Sequence, residues 1–345
     1  MAGWRVRRWV AIGLLASGTL LAACGDSTEA SDTSEGDPLV VYSGREEEYV
    51  EELLSDFEND AGIDLDVRYG DSAELAATLL EEGDSTPADV FFSQDAGSLG
   101  AVSEEGLLGE LEPAALERVD DEFQSPEGTW VGTSARARVA AYNTDVLAPG
   151  ELPDSIHGFT DPSWKGRVGF PPGNSSFQAS IAAMILLEGE DATRTFLEEL
   201  KANEPATHFD DNEATVRAVA DGEIDVGFVN HYYIYEVARE EGDIPVANHF
   251  FSGGDPGALI NTAGVGIMEG TDQLEDAQAL VDYLTGEQGQ TYFPAELLEY
   301  PVVADYGTPE DLVPLDDIDA PDLDLSELGA TLAPAQELLL EVGLL

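Results

Sequence analysis

The chain has 345 residues, with 71 Asp and Glu against 14 Lys and Arg and a formal net charge of −57. So acidic a chain offers no basic face for phosphate contacts, which excludes a nucleic-acid partner. Its single cysteine excludes an internal disulfide and a cysteine-rich metal cage, so any metal has to be held by oxygen or nitrogen.

Arg5, Arg7 and Arg8 precede an apolar run over 9–23 that ends at Cys24, the pattern of a bacterial export signal and too short for a membrane span. The junction Leu21-Ala22-Ala23-Cys24 resembles the lipobox of bacterial and archaeal lipoproteins, which implies lipid attachment at Cys24. Residues 1–23 are therefore expected as a signal peptide, and 24–38, rich in Ser, Thr, Asp and Glu, as a flexible tether. The remaining roughly 300 residues exceed what one hydrophobic core usually serves, so two lobes are expected. The acidic residues fall in helix-period segments and loops, as at Glu46-Glu47-Glu48, where solvation accounts for them. Self-repulsion of this size is relieved by salt, which points to a halophilic host.

In the body, 39–42 reads as a buried strand, 43–45 as a turn and 46–60 as a helix with Val50, Leu53, Leu54 and Phe57 on one side. A strand over 63–69, a helix from Asp71 and Ser72 to about Glu82, and a buried strand over 88–92 follow. That order predicts an α/β fold with parallel strands, and ligands in such sheets sit beyond the strand carboxyl ends, here 42–46 and 92–95. A second run of elements over 139–251 includes strands at 168–170 and 225–229 and a helix over 179–187.

Residues 225–239 read as a buried strand that passes through Asn230 into a helix, with Tyr232 and Tyr233 at the junction. Neighbouring side chains on a strand point to opposite faces, so two phenols converge only where the backbone turns. The helix N-terminus favours phenolate over phenol, and a trivalent cation would make phenolate the resting state. The segment alone is read equally well as two packing aromatics.

Val41-Tyr-Ser-Gly-Arg45, Thr86-Pro-Ala-Asp-Val-Phe91 and Asn230-His-Tyr-Tyr-Ile-Tyr235 together resemble the bacterial ferric-ion-binding proteins. Trp164-Lys-Gly-Arg167, Asp255-Pro-Gly-Ala258 and 277–300 fall in the same order, so the likeness spans nearly the whole mature body. The resemblance implies a two-lobed type 2 periplasmic-binding-protein fold, each lobe a mainly parallel sheet flanked by helices, with a hinge of crossover strands near 136–140 and 263–267. The implied lobes are 39–137 with 264–313 and 138–263 with 314–345. Ferric iron (Fe3+) would sit in the cleft and pass to the membrane permease and ATPase subunits of an ABC importer, without catalysis and with the protein as a monomer.

By position the resemblance makes Tyr232 and Tyr233 the paired ligands and Tyr142 a third tyrosine used by one branch. Many members have a histidine where this chain has Glu46, and a glutamate where it has Gln94, so the coordination is altered. Three phenolates leave room for Glu46, water or a synergistic anion such as carbonate. Donors for the anion are expected from Asn174, Ser175 and Ser176, with Asn212 and Asn230 nearby. Arg136 would add a fixed charge, and Arg138, two residues on, shares its face. His231 flanks the tyrosine pair, and Tyr235 reads as helix packing.

Two other readings stay open. The same fold could bind an oxyanion or small organic acid without iron, through Arg45, Arg136 and the Asn-Ser loop. A secreted hydrolase could use Glu46 or Glu47 with Asp95 as acid and base.

Overall fold

Residues 36–345 are described in the structure, a computed structural model; the expected export signal, Cys24 and the tether as far as residue 35 lie outside the described residues. From Leu39 the chain alternates strand and helix as its hydrophobic pattern predicts. β1 (Leu39–Ser43) leads to α1 (Glu47–Ala61), whose Tyr49, Val50, Leu53, Leu54 and Phe57 make one buried stripe. β2 (Leu65–Tyr69) leads to α2 (Ser72–Glu82), capped by the Asp71 carboxylate, which accepts a hydrogen bond from the Ala73 amide. β3 (Val90–Ser93) enters α3 (Ala96–Glu104) through Gln94 and the capping residue Asp95. Because β1 pairs in parallel with both β2 and β3, the loops that follow these strands emerge along one edge.

After the short α4 (Pro113–Leu116) come β4 (Trp130–Asn143), β5 (Val168–Gly169), α5 (Ser175–Glu188), α6 (Glu190–Ala202), α7 (Asn212–Ala220), β6 (Val226–Asn230) and α8 (Tyr233–Glu241). The chain then forms β7 (Val246–His249), β8 (Ile260–Ile267), α9 (Leu274–Thr285), α10 (Glu287–Glu296) and α11 (Leu328–Val342). The expected helix over 179–187 starts earlier, at Ser175, because Asn174 caps it by accepting from the Ser176 amide.

β4 is buried along its whole length and changes partner in the middle. From Trp130 to Ala137 it pairs with β8, which passes on to β3; from Arg138 to Tyr142 it pairs with β6, beside β5. The crossover expected near 136–140 is therefore β4 itself, switching between Ala137 and Arg138, while 263–267 lies within β8. Pairings are parallel within each wing, β2-β1-β3 and β5-β6, and antiparallel wherever β4 or β8 takes part. β8 therefore opposes the β2-β1-β3 wing, while β4, which opposes β8, runs in the direction of that wing and against β5-β6.

Two close approaches set the packing near the future site. Gly44 leaves β1 so near α2 that a Cβ would lie 1.8 Å from Ser72 Oγ. The same Ser72 hydroxyl accepts from the Gln94 amide at 2.8 Å, tying the loops after β1 and β3 to the start of α2. α11 lies against both α3 and α5.

Candidate metal centre

Three strand-to-helix junctions meet at one point: Glu46 ahead of α1, Gln94 ahead of α3, and Tyr232 with Tyr233 at the start of α8. Tyr232 already has helical backbone angles, φ −77° and ψ −23°, so the chain turns there and consecutive rings fall on the same side. Their centroids are 4.3 Å apart at 32°, and both side chains are buried. Gln94 Nε2 donates to Tyr232 Oη at 3.3 Å and to Tyr233 Oη at 3.4 Å. Tyr233 Oη donates to Glu46 Oε1 at 3.4 Å. Beside them opens a cleft of about 390 Å³ lined by Glu46, Asp71, Gln94, Asn174 and Asp211. Since a water occupies about 30 Å³, the cleft has room for an ion together with several small ligands.

Burial governs the charge states. It pushes both phenols up, Tyr233 well above its usual range, and Glu46 and Glu299 add to the effect, against Arg136 and Arg45 at Tyr232. The expected help from the α8 N-terminus is therefore outweighed by desolvation. Glu46 is raised to about 7, chiefly by burial. Such phenols ionise only when a strong Lewis acid displaces their protons. Among the described residues no three His, Cys, Asp or Glu side chains gather in a metal-binding group.

Beneath the pair lies a buried ion network. Glu299, fully buried, accepts from Arg45 Nη1 and Nη2 at 3.0 and 2.9 Å, from Arg136 Nη2 at 3.1 Å and from Ser134 Oγ. Burial alone would raise this carboxyl, but the two guanidinium groups hold it down to about 2. Arg136 also donates to the Gln94 carbonyl, so it positions the loop that carries the amide.

The five expected anion donors are gathered on the other side of β4. Asn174 Oδ1 accepts from Asn212 Nδ2 at 3.0 Å, and Asn230 Nδ2 donates to Ser176 Oγ at 3.2 Å. Ser175 donates its amide to Asp71 Oδ2 at 3.2 Å. The charge in this network comes from Arg138, which donates to Asn230 Oδ1, Asn212 Oδ1 and the Phe228 carbonyl at 3.1, 3.3 and 2.9 Å. Arg136 is absent from it, since its register partner is Asn261 of β8 whereas Arg138 pairs with Asn230 of β6. Burial lowers Arg138 to about 10, with no carboxylate among its hydrogen-bond partners.

Tyr142 is not brought to the pair. It stands opposite Val226 in the β4-β6 register, four residues along from Arg138, so about 13 Å of strand separates it from the end where Asn230 lies. It lines a separate hollow with Asp145 and Leu147. His231 has both ring nitrogens engaged, Nδ1 accepting from the Ala137 amide and Nε2 donating to the Leu298 carbonyl. Tyr235 donates to the Asp311 carbonyl, away from the site. Asp95 uses both oxygens on Ser98 as the cap of α3, which removes it as the partner of Glu46 in acid and base chemistry.

Tyr49 and Glu299 also belong to the site, although no motif marks them. Tyr49 lies edge-on to Tyr233 at 6.4 Å, and its buried hydroxyl has no hydrogen-bond partner among the described residues. Its place three residues after Glu46, in the first turn of α1, was the available signal. Glu299 had none, being 254 residues from Arg45.

The family of bacterial extracellular solute-binding proteins matches residues 85–324. An Fe(3+)-binding periplasmic protein of Serratia marcescens is 32% identical over 97% of each chain. The structure of iron-bound HitA from Pseudomonas aeruginosa superposes with a TM-score of 0.84 at 32% identity, covering 89% of this chain and 99% of that one. A Trichodesmium protein, IdiA or FutA, in complex with iron and citrate, superposes at 0.74 with 28% identity, again over 89% and 99%. The fold is that of these two-lobed binding proteins, and the chain belongs to the bacterial extracellular solute-binding protein family, on the branch of the periplasmic ferric-iron-binding proteins.

Proposed function

We propose that this protein captures ferric iron in its cleft and delivers it to the permease and ATPase subunits of an ABC importer. The observation that carries the reading is the pair of buried side chains of Tyr232 and Tyr233, side by side, with the Tyr233 hydroxyl facing Glu46. Two phenolates and one carboxylate balance the charge of a trivalent cation. Asn174, Ser175, Ser176, Asn212 and Asn230, with Arg138 as their fixed charge, form the wall for a synergistic anion such as carbonate or a chelating carboxylate. The relatives named above, one of them holding iron with citrate, support the same reading. The protein binds and releases its cargo and catalyses no reaction.

The lobes are 39–137 with 264–313 and 138–263 with 314–345, and the partner change of β4 between Ala137 and Arg138 supports the first boundary. The chain is exported as a monomer, tethered by a lipid on Cys24 to the outer face of the cytoplasmic membrane, and works in a salt-rich setting.

The test is visible absorption of the soluble body in high salt, titrated with ferric citrate beside a Tyr232→Phe, Tyr233→Phe double variant. A saturable band at one iron per chain that the double variant loses is expected, because phenolate-to-iron charge transfer absorbs visible light. Absence of a band in the wild type would refute the ferric reading and leave the anion-binding one.

A further inference from the structure

Gln94 occupies an unusual position for a neutral side chain. Its amide nitrogen carries two hydrogens and faces two phenolic oxygens, at 3.3 and 3.4 Å, so each hydrogen has its own acceptor. The residue has little freedom to leave. Its own amide is held by Ser72 Oγ at 2.8 Å, its carbonyl by Arg136, and its side chain is 4% exposed. An amide nitrogen has no lone pair to give a metal, whereas its hydrogens suit an oxygen that carries negative charge. Turned the other way, the amide would set a carbonyl oxygen against two oxygens that carry negative charge once a cation displaces their protons.

We infer that Gln94 is a positioning residue that stays outside the coordination shell and donates one hydrogen bond to each phenolate. The consequence is a protein donor set of Tyr232, Tyr233 and Glu46 carrying three negative charges, with the fourth contact neutral. A trivalent cation is matched by that set, while a divalent one leaves a buried excess of negative charge, which is costly. A carboxylate at this position could not play the part, since it accepts hydrogen bonds and gives none when ionised.

The inference rests on the ferric reading, and the experiment separates the two. Wild type, Gln94→Met and Gln94→Leu, each matched to the wild type by near-ultraviolet circular dichroism, are titrated with ferric citrate in high salt and followed by visible absorption and iron content. Hydrogen bonds to a phenolate oxygen lower the energy of the electrons that charge transfer promotes. Without them the band should move to longer wavelength, with one iron still bound and affinity at least tenfold weaker in both variants. A band at the wild-type position with unchanged half-saturation overturns the inference and leaves the ferric site standing. Loss of iron stoichiometry in folded variants also overturns it, by making Gln94 a ligand. No band in the wild type removes the ferric reading itself, and this inference with it.

Discussion

Replacing Glu299 by Gln removes one negative charge from the centre of the molecule while keeping the shape of the side chain. The carboxylate holds two guanidinium groups, Arg45 at 2.9 Å and Arg136 at 3.1 Å, and all three side chains are at most 1% exposed. Without it, two cations remain in the interior with no counter-charge, and breaking a buried pair in this way costs about 3–5 kcal/mol. Unfolding entropy is about 2.1 cal/mol/K per residue, so for a body of about 300 residues the midpoint should fall by roughly 5–8 °C. Thermal melts of iron-free wild type and Glu299→Gln at pH 7, followed by circular dichroism, measure this directly. The carboxyl is held at about 2 against an ordinary 4.5, so its stabilisation is complete above pH 4.5 and lost as the pH falls towards 2. The gap between the two proteins should therefore close on acidification. No phenol is touched, so the variant should keep the visible band with iron. A midpoint within about 2 °C of the wild type at pH 7 would refute the account of the network as a charge triad that stabilises the fold.

Tyr49→Phe removes a buried hydroxyl that has no partner among the described residues, so iron-free protein should gain about 1 kcal/mol, and a comparable loss would mean the hydroxyl is bonded after all. Because burial keeps Tyr232 and Tyr233 protonated at neutral pH, uptake of one ferric ion should release two phenol protons. Apparent affinity then rises with pH, and a pH-stat titration that shows no proton release would exclude the pair as ligands. With a net charge of −57, the iron-free midpoint should climb steadily between about 0.1 and 2 M NaCl as repulsion is screened, whereas a flat profile would remove the case for a halophilic setting.

What the sequence makes legible here is local. The tyrosine pair stands at a strand-to-helix junction because the apolar strand ends at Asn230 and helical spacing begins at once, and Asp71 reads as a cap because an apolar helix follows it. Contacts made by β-sheet register are another matter. Arg136 and Arg138 share a face of one strand, and only the change of partner between Ala137 and Arg138 sends one to Glu299 and the other to Asn230. The same register carries Tyr142 away from the site, although its motif matches. For Tyr49 the one sequence signal is its place three residues after Glu46, and it is weak because a tyrosine on the apolar stripe of an amphipathic helix looks like packing until Tyr233 is placed against it.

The arrangement of charge suggests where selectivity comes from. A chain carrying −57 attracts every cation in its surroundings, so long-range attraction cannot distinguish iron from other cations such as sodium, magnesium or calcium. Close to the cleft the pattern reverses, with Arg45, Arg136 and Arg138 all buried in a chain that has few basic residues, and Glu299 offsetting only one of them. Weakly charged cations gain little there, because Tyr232 and Tyr233 remain neutral phenols and Glu46, at about 7, is only partly ionised. A cation acidic enough to displace the phenol protons creates its own negative ligands, and the buried arginines then stabilise the charge that has appeared. On the proposed reading, discrimination draws on the protons the cargo has to displace as well as on the charge of the donor set, so desolvation that raises the phenols serves the site rather than opposing it.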